Sequence, residues 1–488
     1  MHIHISTAAA AAGCDPLALA LRLAGQGALP AILLADGSAQ TWHATVLAAD
    51  PLITLSIDCN GVAQLRATPD VPAPVMVEMR AAVGIAPDHF ACFQGWLDAL
   101  PWADAAAAPA GAGVIGGISY EAGRRLELPP RNGDSAPWPL LEFTLYRRYF
   151  IFPARGATVL AAVAFGNGQT AAESLLSPMQ RDIAAARRAA MPDLRNTAPS
   201  FTAATAPAAA EIILKVREAL AYIAAGDIYQ ANIAARWVTS RAAAANSGGA
   251  ADALNVFVNL CRQSPAPFAA FLPTTAGAVA SASPEMFIQK AGSQLRTCPI
   301  KGTRPRSANA VDDAAQRDAL IGSSKERAEL AMIVDLLRND LSRICVPGSV
   351  QVRQWAQLTA HRHVWHAAAD IAGELKAADT RPWQSICQAM LPGGSITGAP
   401  KIRAMQIIDE LEGFDRHWYC GNAGYVQPNG DGQLNILIRT IFMENFNGGV
   451  RGVVYAGAGI VADSRPEQEY AEMLLKARAP LAALGIEK

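Results

Sequence analysis

The sequence predicts a fold of the mixed α and β class built around a large apolar interior, and three observations predict it. The chain has 488 residues, of which 51% are apolar and only 17% charged. That supplies two to three domain-sized units or one large fused core. Short apolar runs bounded by turn residues read as strands, and helical periodicities alternate with them in the second half.

The strand candidates of the first half are AILLA (31–35), LITLSI (52–57) and LYRRYFIF (145–152), with GVIGGISYEAGRRLE (113–127) reading as a Gly-rich strand that leads into a helix. An Ala/Pro/Thr-rich stretch without periodicity then divides the chain into an N-terminal region (1–190), a linker or surface connection (191–210) and a second region (211–482). SRAAAANSGGA (240–250) reads as an inserted loop. The dense Gly, Pro and charged motifs lie in the second region, so the chemistry is expected there.

Formal net charge is −1, with no basic tail and no acidic run. This disfavours nucleic acid and membrane surfaces as partners. The eight cysteines are scattered without a C-x-x-C pair, as expected of reduced thiols and a cytoplasmic location. The opening MHIHISTAAAAAGCDP has no Lys or Arg before its apolar stretch, so no signal peptide is expected. No run approaches the roughly 18 apolar residues of a membrane span.

SSKERAELAMIVDLLRNDLSRI (323–344) carries the periodicity of a helix capped by Ser323 or Ser324, with Glu326 and Glu329 on one face above an apolar stripe. SRPEQEYAEMLLKARAPL (464–481) reads as another. Ser464 and Glu467 would form its capping box, and Glu469, Glu472 and Lys476 share a face. A solvated Glu472–Lys476 pair is the plain reading; two carboxylate pairs sharing a hard cation is the sharper one. MLPGGSITGAPKIRAMQIIDELEG (390–413) lacks the Lys-Ser/Thr of a P-loop and reads as a Gly-rich loop feeding a helix, with Ile402, Met405, Ile408 and Leu411 buried. LNILIRTIFM (434–443) and VRGVVYA (450–456) around Asn447-Gly448 read as a hairpin that sets Arg439 on an apolar strand face. A buried guanidinium there calls for an anionic partner. In PIKGTRPR (299–306), Lys301 is a turn tip, an anion-binding charge or a nucleophile.

These segments come in a family order. GDIYQANIA (226–234), SASPEMF (281–287), PIKGTRPR, AMIVDLLRNDLSRIC, GGSITGAPKIRAM, NAGYV (422–426), IRT (438–440) and AGAGIVADSRPEQEY together resemble the chorismate-utilising enzymes, and among them the aminodeoxychorismate synthase component I branch. SYEAGR (119–124) is the best landmark upstream. The resemblance implies an α+β fold of two large β-sheets packed as a sandwich with helices outside. It implies Mg²⁺ held by Glu326, Glu329, Glu469 and Glu472, and substrate held by Tyr425, Arg439 and Lys476. Gly302, Thr303, Gly457, Ala458 and Gly459 would line the pocket through their backbone. Catalytic roles fall on Lys301 as nucleophile, Glu285 as general acid/base and His366, although the Ala-Ala-Ala after His366 departs from the family's Leu-Val-Ser. Ser307 likewise stands where a glycine is usual.

The implied reaction is amination of chorismate at C4, with ammonia from a separate glutamine amidotransferase subunit, since no cysteine here sits in a G-x-C-x-G elbow. An anthranilate or isochorismate-type enzyme is opposed by Lys301, where anthranilate synthases carry alanine. A non-catalytic subunit is opposed by the intact glutamates, Arg439 and Lys476.

Overall fold

The computed structural model describes residues 2–38, 41–130, 138–166, 168–189, 201–202, 204–242, 249–360, 364–446 and 449–486. Among them, twenty strands form one hydrogen-bonded system in which every strand pairing is antiparallel. Its spine is the pair Ala44–Ile57 and Leu141–Pro153, aligned from Ala44↔Pro153 to Ile57↔Leu141 with a register break between Pro51 and Ile53. Asp50, beside the break, has φ 61°. The two runs expected at 52–57 and 145–152 are thus segments of strands longer than their turn-bounded patterns suggested.

On either side of that break the spine feeds a different sheet. Sheet one runs Ile3–Ala10, Thr158–Phe165, the spine, Ala31–Leu34, Phe268–Pro273, Gly277–Ser283, Thr440–Phe446, Gly449–Ile460, Gln230–Ala242 and Gly398–Ala399. Sheet two runs Ala63–Ala67, the spine, Val114–Ile118, Asn422–Val426, Gly432–Asn435, Met286–Ala291, Gln294–Cys298 and Val364–Glu374, the last flanked by Ile300–Pro305 and Gln351–Ala360. Both sheets take strands from before and after residue 200, so the N-terminal and second regions share one framework.

Strand alternation then decides the layers. Leu33, Phe268, Ala270, Val279, Phe442 and Tyr455 of sheet one join Ile115, Phe143, Leu434 and Ile288 of sheet two in the core between the sheets. Their neighbours Ile32, Leu47, Phe271, Ala280, Ile441 and Val454 face the other way. They meet Leu19, Met179, Val216, Phe257, Ile408 and Met473 of the helices Pro16–Gly25, Gly168–Arg188, Ala209–Ala224, Gly249–Gln263, Lys401–Glu412 and Pro466–Ala483. Helices His89–Asp98, Ser324–Ser342 and Pro382–Met390 are tied to sheet two through Phe93, Ile333 and Ile386. The result is an α+β sandwich with its helices outside.

Several local expectations change. PIKGTRPR is a bulged strand rather than a turn, with the irregularity at Gly302 (φ 88°). LNILIRTIFM is two strands of two different sheets, separated by an irregular crossing at 436–439. The last helix starts at Pro466 with Arg465 before it, and Ser464 makes no capping box. Its hydroxyl instead donates to Glu469 at 2.6 Å, while Glu467 pairs with Arg217. Ile402 is exposed, and Ala404 and Ile407 join Met405, Ile408 and Leu411 in the buried stripe. The turn 447–448, most of the loop at 240–250, and 191–200 with 203 of the expected linker lie outside the described residues.

Candidate active site

Two chain crossings between the sheets lie side by side, and the site forms against them. One runs from Gly277–Ser283 in sheet one to Met286–Ala291 in sheet two and carries Glu285; the other carries Arg439 back from sheet two to sheet one. They are stitched together by Ile436 N–H to Glu285 O (3.1 Å), Ser283 Oγ to Ile436 O (2.5 Å) and Ala282 N–H to Arg439 O (3.1 Å). Arg439 has φ 54°, a conformation few non-glycine residues adopt, and so leaves the strand line rather than lying on a strand face. Burial pushes its pKa down, Glu472 opposing, and no ion pair to it forms among the described residues.

The strand Gly449–Ile460 supplies a bare wall. A Cβ on Gly457 would lie 2.8 Å from Tyr419 Oη and 3.0 Å from Asn232 Nδ2; one on Gly459 would lie 3.2 Å from Gln230 Nε2 and 3.4 Å from Lys301 Nζ. Ala458, between them, turns its methyl to the helix-facing core, so only its backbone borders the wall. Lys301 Nζ is therefore directed at this glycine face. Lys301 is half-buried, its amine set among Gln230, Glu285, Glu329 and Lys476. Burial lowers the Lys301 pKa; Lys476 adds to the effect, while Glu329, Glu285 and Glu472 oppose it. Glu285, buried, is pushed up to about 7 by desolvation, with Ser395, Lys301 and the Ile300 N–H partly restoring the carboxylate. Ser395 Oγ itself closes no hydrogen bond of good geometry.

The two helices bring up the glutamates. Ser323 caps Ser324–Ser342 by accepting from Glu326 N–H. Glu326 Oε1 takes Arg304 at 2.7 Å, whereas its buried Oε2 has no hydrogen-bond partner among the described residues. Gly302 is required beside it, since a Cβ there would lie 3.1 Å from Oε2 and 2.7 Å from Leu320. Burial raises the Glu329 pKa, and Glu469 and Glu472 across the cleft add to this against Lys301 and Lys325. Glu472 is also desolvated, but Lys476 at 2.6 Å, with Lys301 and Lys325, brings its pKa below the ordinary value. The plain i,i+4 pair thus exists, and Lys476 also donates to Gly457 O at 2.8 Å, tying helix to wall. Among the described residues no three His, Cys, Asp or Glu groups converge as a closed metal cage. The donor chemistry still suits a hard cation that keeps waters: carboxylates only, one orphaned buried oxygen, and repulsion of Glu329 by Glu469 and Glu472.

Thr303 pairs with His366 across the strands, and both border a cleft with Arg439, Ala282 and Pro284. Tyr425 is not brought into this cluster. It lies in the core with its ring 6.3 Å from Trp42. Tyr419, which the sequence did not single out, presents its hydroxyl to Gly457 instead and stacks on Tyr455 at 5.0 Å. Gln230 was also missed. It is fully buried beside Lys301, and neither its amide nitrogen nor its oxygen has a partner among the described residues. Both residues stand within matched motif surroundings, but only the fold shows that they face the glycine wall.

Residues 84–482 match the family model described as chorismate binding enzyme. The chain belongs to this family. Aminodeoxychorismate synthase component 1 of Bacillus subtilis is 34% identical over 384 residues, 77% of each chain. An anthranilate synthase component I-like protein of Synechocystis is 41% identical over 269 residues, which are 55% of this chain and 53% of that one. The chain thus spans about half the length of that relative. Anthranilate synthase component I from Streptococcus pneumoniae superposes with TM-score 0.67 at 26% identity, covering 90% of this chain and 92% of that one. The menaquinone-specific isochorismate synthase of Escherichia coli superposes at 0.66 with 18% identity, covering 99% and 94%, and so shares the fold. No helix among the described residues is long and apolar enough to cross a membrane, and none of the eight cysteines is joined in a disulfide.

Proposed function

We propose that this enzyme aminates chorismate at C4 to give 4-amino-4-deoxychorismate, the precursor of p-aminobenzoate in folate biosynthesis, through a covalent adduct on Lys301. The observation that carries the reading is the Lys301 amine, depressed in pKa and aimed at the Gly459 face with the proton-holding Glu285 nearby. A buried amine that gives up its proton easily is a competent nucleophile near neutral pH.

Lys301 Nζ adds its lone pair to C2 of the ring. The diene shifts, the C4–O bond breaks, and Glu285 gives its proton to the departing hydroxyl, which leaves as water. Ammonia then adds to C4, the double bonds shift back, and the C2–N bond breaks to release Lys301. The sum is chorismate plus ammonia giving aminodeoxychorismate plus water. Arg439 supplies a cation for a substrate carboxylate, and Lys476 holds the wall at Gly457. Glu326, Glu329, Glu469 and Glu472 would hold Mg²⁺, whose chemistry is to neutralise and orient the ring carboxylate. Ammonia would come from a glutamine amidotransferase subunit, in keeping with the component 1 name of several relatives.

The anthranilate reading has the support of relatives so named and is opposed by Lys301, which would occupy the C2 position that ammonia must reach. Chromatography of a reaction with chorismate, Mg²⁺ and ammonium decides between them. Product that becomes p-aminobenzoate only after a separate lyase is added supports C4 amination; anthranilate as the main product overturns it.

A further inference from the structure

We infer that the segment Ser119–Arg124 of the N-terminal region is a positioning element of the chorismate site, acting through the buried Arg416. The inference rests on the preceding reading only in that the site turns over chorismate. The segment follows strand Val114–Ile118, is capped by Ser119, and is buried along its length. Four of its residues are spent on the second region. Tyr120 N–H donates to His417 O at 2.8 Å, and its ring lies 4.8 Å from the Arg416 guanidinium. Glu121 accepts from Arg416 N–H at 2.9 Å. Arg124 grips Asp409 with two bonds, 2.9 and 2.7 Å. Gly123 lets the backbone approach Leu391-Pro392 so closely that a Cβ would stand 2.6 Å from Pro392 N.

Arg416 is where these contacts converge on the site. Its guanidinium pairs with Glu412 at 2.9 and 2.5 Å and donates to Ile396 O (2.8 Å) and Asn232 O (2.6 Å). Its other aromatic neighbour is the Tyr419 ring at 5.7 Å. Each point so held carries or adjoins a group of the site. Asn232 and Tyr419 reach Gly457, and Ile396 follows Ser395, which lies beside Glu285. One planar fork therefore fixes three backbone segments relative to one another, with Tyr120 closing its face. A lysine cannot serve that geometry, because a single ammonium would leave buried acceptors unpaired.

The test uses the full chain with Arg416→Lys, Arg416→Ala and Tyr120→Leu, reading melting temperature, chorismate binding by direct titration, and chorismate consumption relative to wild type. Consumption is scored whatever the product, so a wrong product assignment leaves this test intact. Displacement of the wall groups by about an ångström predicts folded Arg416→Lys and Tyr120→Leu that bind chorismate within about threefold of wild type and turn over about 100-fold more slowly. Guanidinium ion should restore turnover of Arg416→Ala saturably, and methylammonium should not. If Arg416→Ala does not fold, the split between binding and turnover in the other two variants decides. Wild-type turnover in those two, a loss of binding as large as the loss of turnover, or no guanidinium rescue in folded Arg416→Ala overturns the inference.

Discussion

Lys301 and Gly459 face each other across the join of the two sheets, such that a methyl group on Gly459 would stand 3.4 Å from Nζ. On the proposed mechanism, the space the glycine leaves is where the amine would meet its substrate. Gly459→Ala would put a close contact there; Gly459→Val would fill it. Turnover is expected to fall about tenfold in the first and below detection in the second, with melting temperatures near wild type, since Gly459 sits in ordinary extended backbone. Equal activity in both variants would show that Lys301 works away from this wall.

The two perturbed groups set a pH profile. Glu285, pushed up to about 7, is about half protonated at neutrality and loses its proton above, so the proposed acid assistance would fail on the alkaline side. Lys301 must be neutral to attack, so activity fails on the acid side of its lowered pKa. A bell-shaped profile of kcat/KM is expected, with its alkaline limb near pH 7. Glu285→Gln should lower turnover roughly 10²- to 10⁴-fold and erase that limb. A residual alkaline limb at the same pH in the variant would assign it elsewhere.

Much of this site is legible in the sequence because both glutamate helices carry a start signal. Ser323 marks the start of the Glu326–Glu329 helix, and Pro466 marks the other. The crossings are harder to read. Nothing in LNILIRTIFM signals a break: no Gly, Pro or Asn stands at the position that turns, and Arg439 adopts positive φ because two sheets demand it. A continuous apolar run looks alike whether it serves one sheet or passes between two. The resemblance put Tyr425 in the pocket and left Tyr419 out, and the sequence alone does not show which way either ring faces. Both lie in aromatic, glycine-rich surroundings, and only strand pairing shows that Tyr425, opposite Ile115 and Gln433, belongs to sheet two with its ring toward Trp42.

The carboxylates predict a metal dependence that can be read without turnover. Glu329 is raised by burial and by Glu469 and Glu472, a repulsion that a divalent cation would relieve. Mg²⁺ alone should raise the melting temperature of the wild type saturably. Glu329→Gln should weaken that shift and, with Glu472→Gln, abolish turnover at limiting Mg²⁺. Chelation of the wild type should do so reversibly. A Mg²⁺ shift unchanged in Glu329→Gln would place the ion outside this set.

Glu121 offers a stability prediction in which the sign can be worked through. Burial, with Asp415 nearby, pushes its carboxyl up to about 8, against N–H groups of Arg416 and His417 that favour the charged form. In the unfolded chain the same group ionises near the usual value of about 4.3. Between those values the native state keeps a proton that the unfolded state has lost. Stability therefore falls as pH rises through that window, by at most about 1.4 kcal/mol per pH unit, and is insensitive to this group below it. Glu121→Gln imitates the protonated carboxyl and cannot ionise. Glu121 Oε2 is buried without a hydrogen-bond partner among the described residues, so the new amide group adds a constant offset that leaves the slope alone. The quantity to compare is therefore the slope of denaturation midpoint against pH from 5 to 8, which other titrating groups affect equally in both proteins. The variant's slope should be shallower than that of the wild type, and Asp415→Asn should lie between them, because it removes only one of the causes. Parallel slopes in wild type and Glu121→Gln would mean that Glu121 is ionised in the folded protein at neutral pH.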